Sequence, residues 1–195
     1  MSTRSRLSTP QPQATADPPA PRLTPQLRIV LHPGPKLETQ ILPAPPGLPP
    51  YSLIPPTTPQ PTRALYLDPQ PSPTTASELA YRQYKTSRRD VYASAAARVG
   101  GEFPEVVLHA DGELLEGTTT NIAMLLDGVW VTPRITESSP ILAGTARAYL
   151  LDTGVIREGT LTVHDWDKAM RGEVRVIAFN GLRGLWEGKP TAPPA

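Results

Sequence analysis

The chain has 195 residues, 26 prolines, no cysteine and a formal net charge of +1. The lack of cysteine excludes disulfides, thiolate nucleophiles and cysteine metal sites, and the three histidines, His32, His109 and His164, are too scattered to indicate a metal site. A nearly neutral chain without lysine or arginine runs does not have the charge pattern of a nucleic-acid-binding protein. No apolar run approaches the roughly 18 to 20 residues of a spanning helix, so we predict no membrane partner.

Proline divides the chain into two parts, because 20 of the 26 prolines lie from Pro10 to Pro73. Residues 1–25 are predicted to be a disordered tail that cannot bury enough apolar surface to offset its ordering. Residues 26–75 are a proline-rich part with a linker, residues 76–188 are the one compact domain, and residues 189–195 are a loose tail.

The N-terminal sequence MSTRSRLSTPQPQATA has arginine and hydroxyl residues and no acid before Asp17, which is a weak similarity to an organelle transit peptide. Pro10 and Pro12 interrupt an amphipathic helix there. We therefore predict a cytoplasmic protein.

The proline-rich part contains two short β-type stretches. Residues 27–42 predict a hairpin around the turn signal HPGP. Residues 44–61 predict an extended, polyproline-like linker, and a ligand for an SH3-type domain is the alternative. Residues 63–70 predict a short edge strand.

The first elements of the compact domain are helical and then β-type. Residues 77–99 have helical features, with a cap at Ser77 and a break near residues 85–90. Residues 105–132 predict four strands in an antiparallel meander, because Asp111-Gly112 and Asp127-Gly128 are strong hairpin signals.

The rest of the domain alternates between helix and strand. A helix is predicted from Gly144 to Asp152, a strand from Leu161 in LTVHD, and a short helix that ends at Gly172. A buried strand from Glu173 and a final turn and strand in GLRGLW follow. The alternation predicts an α/β (α+β) domain with a mostly antiparallel sheet and flanking helices.

Three features of this domain match the needs of a pyridoxal phosphate site, which are an imine-forming lysine, an acid at the ring nitrogen and phosphate donors. Lys85 lies in YKTSRR, Glu116 ends an apolar strand where a carboxylate is costly unless paired, and Gly144-Thr145-Ala146 begins a helix. Singly, they have ordinary explanations: a solvated lysine, a strand-end acid and an N-cap.

Together, the order lysine, about 30 residues, EGxxxN, about 25 residues, GTxR resembles the class IV, or fold type IV, pyridoxal phosphate enzymes. These are branched-chain and D-amino acid aminotransferases and aminodeoxychorismate lyase. The resemblance covers about residues 76–186. It implies the following roles: Lys85 as the catalytic Schiff-base lysine, Glu116 as the pyridine-nitrogen partner, Asn121 as a structural asparagine, Thr145 and Ala146 as phosphate ligands, and Asn180 near the phosphate.

Other positions refine the resemblance. The family's helix arginine corresponds to Arg147, and the lysine-plus-four arginine of lyase-like members corresponds to Arg89. KTSRRDVY and FNGLRG are similar to fungal aminodeoxychorismate lyase-like proteins. The tyrosine that follows the lysine by five residues in aminotransferases is Asp90 here, with Tyr92 two residues further on.

The resemblance implies a 4-amino-4-deoxychorismate lyase of folate biosynthesis, which eliminates pyruvate and leaves 4-aminobenzoate. It also implies a small-molecule amine substrate and a homodimer. A branched-chain or D-amino acid aminotransferase is the first alternative. The second is a truncated, inactive homologue or interaction protein, since the family's smaller N-terminal domain is represented only by residues 27–68, without its phosphate-binding arginine motif.

Overall fold

The computed structural model describes residues 26–42, 51–102 and 104–194. The chain divides into two compact units, Met1–Leu48 and Pro49–Ala195. The predicted tail over residues 1–25 lies outside the described residues, as does part of the predicted linker. None of the helices in the described ranges is long and apolar enough to cross a membrane.

The smaller unit contains the predicted hairpin, formed by β1 (Gln26–Leu31) and β2 (Leu37–Leu42). The strands are antiparallel, and the turn uses Gly34 at a φ of 91°. Alternate residues of a strand share a face. One face of this hairpin therefore carries a set of exposed apolar side chains: Leu27, Ile29, Leu31, Leu37 and Ile41.

The larger unit is a mixed α/β structure with twelve elements in its described residues. In chain order they are β3 (Pro61–Leu67), α1 (Ala76–Arg82), α2 (Asp90–Val99), β4 (Glu105–Ala110), β5 (Glu113–Gly117), β6 (Asn121–Leu126), β7 (Val129–Pro133), α3 (Thr145–Asp152), β8 (Ile156–Gly159), α4 (Val163–Met170), β9 (Val176–Asn180) and β10 (Gly184–Pro190). The break between α1 and α2 confirms the interruption predicted near residues 85–90.

The eight strands form one sheet in the order β5-β4-β3-β10-β9-β6-β7-β8. Four neighbouring pairs are antiparallel, and the three pairs β3–β10, β3–β4 and β7–β8 are parallel. The sheet curls, because Leu114 of the first strand donates its backbone N–H to Leu161, just beyond the last strand, at 2.8 Å. The predicted α/β (α+β) class is confirmed, with antiparallel pairs in a narrow majority.

Alternation of side chains along the strands separates the core into layers. Ile122 and Met124 of β6 face one side, where Trp166 of α4 completes the largest cluster. Ala123 faces the other side and packs with Leu150 of α3. Helix α2 covers β4 and β5 on that other side of the sheet with its own set of side chains, Val91, Ala95 and Val99.

The predicted four-stranded meander is wrong. Its two hairpins form, but β5 and β6 are not neighbours, because four strands lie between them in the sheet. After β5 the N–H of Gly117 donates to the carbonyl of Thr120 at 2.8 Å, and the buried carboxylate of Glu105 accepts from Thr119 and Thr120. This tight turn directs the chain across the sheet instead of back along β5.

Strand β3 is internal, between β10 and β4, and is not the edge strand predicted over residues 63–70. Pro61 is the first residue of the strand, so the residues after it keep their donors for both neighbours. Since β3 belongs to the sheet, the larger unit begins well before residue 76. At the other end, β10 reaches Pro190, two residues into the predicted loose tail.

Several predicted boundaries differ from the structure. LTVHD is not a strand, because Thr162 and Asp165 form a capping box that begins α4 at Val163. Helix α1 is preceded by Thr75 and not capped by Ser77. The strand predicted from Glu173 begins only at Val176, and β8 is absent from the predicted elements.

Candidate active site

A cavity of about 590 Å³ lies where β5 and β9 end and β6 begins. Four segments line it: residues 84–92 with the α1–α2 connection, the turn over 116–121, residues 142–145 before and at α3, and the loop over 180–183. The cavity brings together the predicted site residues Lys85, Glu116, Asn121, Thr145 and Asn180. Ala146 follows Thr145 in α3 and is buried, but its side chain does not line the cavity.

Glu116 is a buried acid at the end of β5, with 3% of its surface exposed. The hydroxyl of Tyr92 donates to its Oε1 at 2.6 Å, and the backbone N–H of Leu142 donates to its Oε2 at 3.1 Å. Burial raises the pKa of Glu116 to about 7, although these two hydrogen bonds act in the opposite direction. The carboxyl is therefore able to hold a proton or face a cation near neutral pH.

Tyr92 orients Glu116, a role that sequence reasoning missed. Burial raises the pKa of Tyr92, so the hydroxyl stays a proton donor. The guanidinium of Arg89 lies 4.5 Å from the centre of the Tyr92 ring and also donates to the carbonyl of Thr118. One sequence signal for this contact was available. Arg89 and Tyr92 are three residues apart at the start of α2, and residues with this spacing lie on one face of a helix.

Lys85 lies in the connection between α1 and α2, at the cavity wall. Its side chain is exposed, so its amine is accessible to a molecule in the cavity. No regular element restrains this segment, and Arg89 ties its C-terminal end to the turn after β5 through the Thr118 carbonyl.

The start of α3 has the features of an anion site. Gly144 is the N-cap and has no side-chain cap bond. The first amides of a helix have no carbonyl partner within it, and the helix dipole favours negative charge there. Arg147 points elsewhere, because it is buried and donates to the Pro133 carbonyl at 3.0 Å and to Glu158 at 2.5 Å.

Asn121 and Asn180 hold the segments that form the cavity. The amide of Asn121 donates to the Leu142 carbonyl at 2.9 Å, and a Cβ on Gly144 would lie only 2.5 Å from its Oδ1. Asn180 accepts from the N–H groups of Leu182 and Arg183 and donates to the Thr119 carbonyl at 3.1 Å. Both side chains are thus engaged with the backbone, which fits the structural role expected for Asn121.

The chain belongs to the class IV aminotransferase family, whose model, described as Amino-transferase class IV, matches residues 14–186. Members of this family depend on pyridoxal phosphate, the cofactor expected from the sequence. The match includes all the cavity residues and extends into both units of the chain.

The chain is similar to two yeast proteins. It is 30% identical over 128 residues to the "Putative aminodeoxychorismate lyase" of Schizosaccharomyces pombe, across 64% of this chain and 53% of that protein. It is 32% identical over 129 residues to the aminodeoxychorismate lyase of Saccharomyces cerevisiae, across 56% and 33%. The chain thus spans about half and about a third of the lengths of these relatives.

A solved structure confirms the fold at greater coverage. The "Putative amino-acid aminotransferase" from Mesorhizobium loti superimposes with a TM-score of 0.63 and 27% identity, over 88% of this chain and 75% of that one. The curled mixed sheet with few helices is therefore that of a fold type IV enzyme.

The cavity residues fit pyridoxal phosphate on structural grounds. Glu116 is a buried acid whose pKa suits a partnership with a ring nitrogen. The glycine at the start of α3 leaves its amides open to a phosphate, and Lys85 is an accessible amine in the same cavity. The donor set of one lysine, one buried carboxyl and one helix start is the one that this cofactor requires.

Proposed function

We propose that this protein is a pyridoxal phosphate-dependent lyase that converts 4-amino-4-deoxychorismate to 4-aminobenzoate and pyruvate. The observation that carries the proposal is the meeting of Lys85, Glu116 and Thr145 in one cavity of a class IV fold. The likeness to two yeast proteins named as aminodeoxychorismate lyases supports this substrate. Asp90 at the position where aminotransferases have tyrosine also supports a lyase.

When bound, pyridoxal phosphate supplies an electron sink for negative charge at the carbon that bears the substrate amine. Lys85 is the acid-base group: its amine takes the proton from that carbon. The electron pair released there expels the enolpyruvyl group by cleavage of the adjacent C–O bond. The substrate ring becomes aromatic, and the departing enolate takes up at its CH2 carbon the proton that Lys85 removed, which gives pyruvate and restores the amine.

Glu116 would pair with the ring nitrogen of the cofactor and keep the positive charge of the protonated ring paired. Tyr92 and the N–H of Leu142 fix the two oxygens of Glu116, so the carboxyl would not need to reorient on cofactor binding. The amides at Thr145 and Ala146 and the Thr145 hydroxyl would hold the phosphate. Asn121 and Asn180 position these groups through the backbone.

An absorbance spectrum with pyridoxal phosphate, before and after borohydride reduction, tests the cofactor assignment. We expect a visible imine band that borohydride reduction removes while the cofactor becomes covalently fixed to Lys85. Lys85→Ala should lack both the band and the covalent label. Absence of the band at saturating cofactor would contradict an enzyme and favour the inactive or interaction protein. Arg157→Met, at an exposed position on β8, is the matched control and should keep the band.

The reaction itself is tested by supplying 4-amino-4-deoxychorismate to the loaded protein. A lyase releases 4-aminobenzoate and pyruvate in equal amounts without a keto-acid acceptor. An aminotransferase uses the same Lys85 and Glu116 but consumes a keto acid, so turnover that depends on an added keto acid would replace the lyase with a branched-chain or D-amino acid aminotransferase. Homodimerisation and a cytoplasmic location stay predictions, tested by light scattering and by localisation of the tagged chain.

A further inference from the structure

Two arginines of the larger unit have no role in the chemistry above. Arg183 lines the cavity on the loop between β9 and β10, and Arg63 lies on β3. The Nε of Arg183 and the Nη1 of Arg63 are buried, and neither has a hydrogen-bond acceptor among the described residues. A buried donor without an acceptor is destabilising, and more so when it is charged. The rest of the Arg183 guanidinium is at the cavity wall and has no hydrogen-bond or ion-pair partner among the described residues, so an oxyanion in the cavity would provide its acceptor.

The charge balance around Arg183 points to an anion. Burial lowers the pKa of Arg183, with Arg63 adding to this effect and Glu105 opposing it. The carboxylate of Glu105 is already engaged, because it accepts from the N–H of Thr119 at 2.8 Å and from the hydroxyls of Thr119 and Thr120. Two guanidinium groups and one occupied carboxylate leave one positive charge in excess.

The loop that carries Arg183 is fixed against the start of α3. Asn180 accepts from the N–H of Arg183 at 2.7 Å and from that of Leu182 at 3.0 Å. A Cβ on Gly181 would lie 2.4 Å from the Thr145 hydroxyl and 4.0 Å from the Ala146 nitrogen. The loop therefore touches the helix start where free amides already favour an anion.

Arg63 is also held in place, since its guanidinium lies 5.6 Å from the centre of the Trp186 ring. A cation over an aromatic face is stabilised without losing its charge. Arg63 thus supports Arg183 from the sheet side with a fixed second positive charge.

We propose that Arg183, supported by Arg63, forms an oxyanion subsite at the edge of the cavity beside the start of α3. The fork of a guanidinium matches phosphate and carboxylate groups. The subsite rests on the proposed function only for the source of the oxyanion, which is the cofactor phosphate or a substrate carboxylate. The subsite supplies a cation on the loop between β9 and β10, next to the start of α3.

Inorganic phosphate tests the subsite without any cofactor. Thermal unfolding is measured in phosphate and in chloride of equal ionic strength for the full chain, Arg183→Met, Arg63→Met and the exposed control Arg157→Met. We expect phosphate to raise the midpoint temperature of unfolding of the unsubstituted chain and of the control. Arg183→Met should bind phosphate at least about tenfold more weakly. Equal shifts in all four proteins, or no shift in any, would overturn the proposal.

Folding of the variants is part of the expectation. Methionine keeps the apolar stem of each half-buried arginine and removes a charge that has no ion-pair partner among the described residues. Neither variant should therefore unfold at a lower temperature than the unsubstituted chain in chloride. Arg63→Met leaves Arg183 at the cavity, so it should weaken phosphate binding less than Arg183→Met does. If Arg63→Met is instead the more damaging variant, Arg183 is not the contact residue and the assignment is wrong.

Two pairs of ligands distinguish the sources of the oxyanion. If the subsite binds the cofactor phosphate, Arg183→Met weakens the binding of pyridoxal phosphate and leaves the affinity for pyridoxal unchanged. If the subsite binds a substrate carboxylate, the variant weakens the binding of 4-aminobenzoate and leaves the affinity for 4-aminobenzamide unchanged. Unchanged affinity for both anions rejects the subsite. A full chain that responds to phosphate but releases no 4-aminobenzoate from 4-amino-4-deoxychorismate contradicts the proposed function and not the subsite.

Discussion

Glu116 makes the stability of the cofactor-free protein depend on pH. Its pKa is raised from 4.5 to about 7, so the folded state favours the protonated carboxyl. The stabilisation is complete below the unfolded value and is lost as the pH rises through the folded value, which amounts to roughly 3 kcal/mol between about pH 4.5 and about pH 7. Glu116→Gln is neutral at every pH and should remove this slope in denaturant unfolding.

Tyr92→Phe is the matched variant for that experiment. It keeps the Glu116 carboxyl but removes a hydrogen bond that lowers its pKa. The pH range over which stability is lost should then lie higher than in the unsubstituted chain. A slope in Glu116→Gln equal to that of the full chain would show that another group titrates and that Glu116 does not.

At the residue scale, the sequence predicts residues that meet in one cavity but not the residues that orient them. Lys85, Glu116 and Thr145 are predicted because their residue types match the cofactor's chemistry, and all three line the cavity. Tyr92 and Arg183 are not found, because their roles depend on contacts between segments far apart in sequence. Asn180 is placed correctly at the cavity, but its bonds to the neighbouring backbone appear only in the structure.

The start of α3 depends on a glycine. A Cβ on Gly144 would approach the Asn121 Oδ1 to 2.5 Å, and Asn121 also holds the Leu142 carbonyl. We expect Gly144→Ala to displace the side-chain amide of Asn121 and to weaken the binding of pyridoxal phosphate. Binding is measured by titration of the cofactor absorbance. The backbone angles of Gly144 are accessible to alanine, so the fold should persist in circular dichroism. Unchanged affinity would show that the contact yields without moving the helix start.

The capping box of α4 is a second element that determines local structure. Thr162 accepts from the Asp165 N–H at 3.2 Å, and Asp165 accepts from the Thr162 N–H at 3.0 Å. Thr162→Ala should cost about 1 kcal/mol of unfolding free energy in urea, because one helix-start donor loses its acceptor. The exposed Thr160→Ala is the control and should change stability by less than about 0.5 kcal/mol. Equal losses in both variants would contradict the role of the cap.

Elements with local signals are predicted from sequence, and their places in the sheet are not. The Asp-Gly turns give both hairpins of residues 105–133, with Asp111 and Asp127 in the left-handed region before their glycines. The two hairpins are separated by three strands, β3, β10 and β9. This separation depends on the turn over 117–120, which is stabilised by Glu105 from another strand. Strand β3 is internal because β10, more than a hundred residues later in sequence, pairs with it. The local sequence around the turn does not indicate Glu105 as its partner, and the local sequence around β3 does not indicate β10.

At the scale of the whole molecule, the two units differ in how much apolar surface they bury. All three core clusters lie in the unit from Pro49 to Ala195. The described part of the other unit is a two-stranded hairpin with an exposed apolar face, and such a hairpin is at best marginally stable alone in water. Stability of the chain should therefore be determined by the larger unit.

A chain reduced to residues 49–195 tests this division. It retains every residue that lines the cavity, so we expect it to unfold cooperatively, to give the same imine band as the full chain and to carry the cofactor on Lys85 after borohydride reduction. It should also aggregate less, because five exposed apolar side chains of the hairpin are removed. Cooperative unfolding without the band would show that residues 1–48 complete the cofactor site, and loss of cooperative unfolding would show that the larger unit needs them to fold.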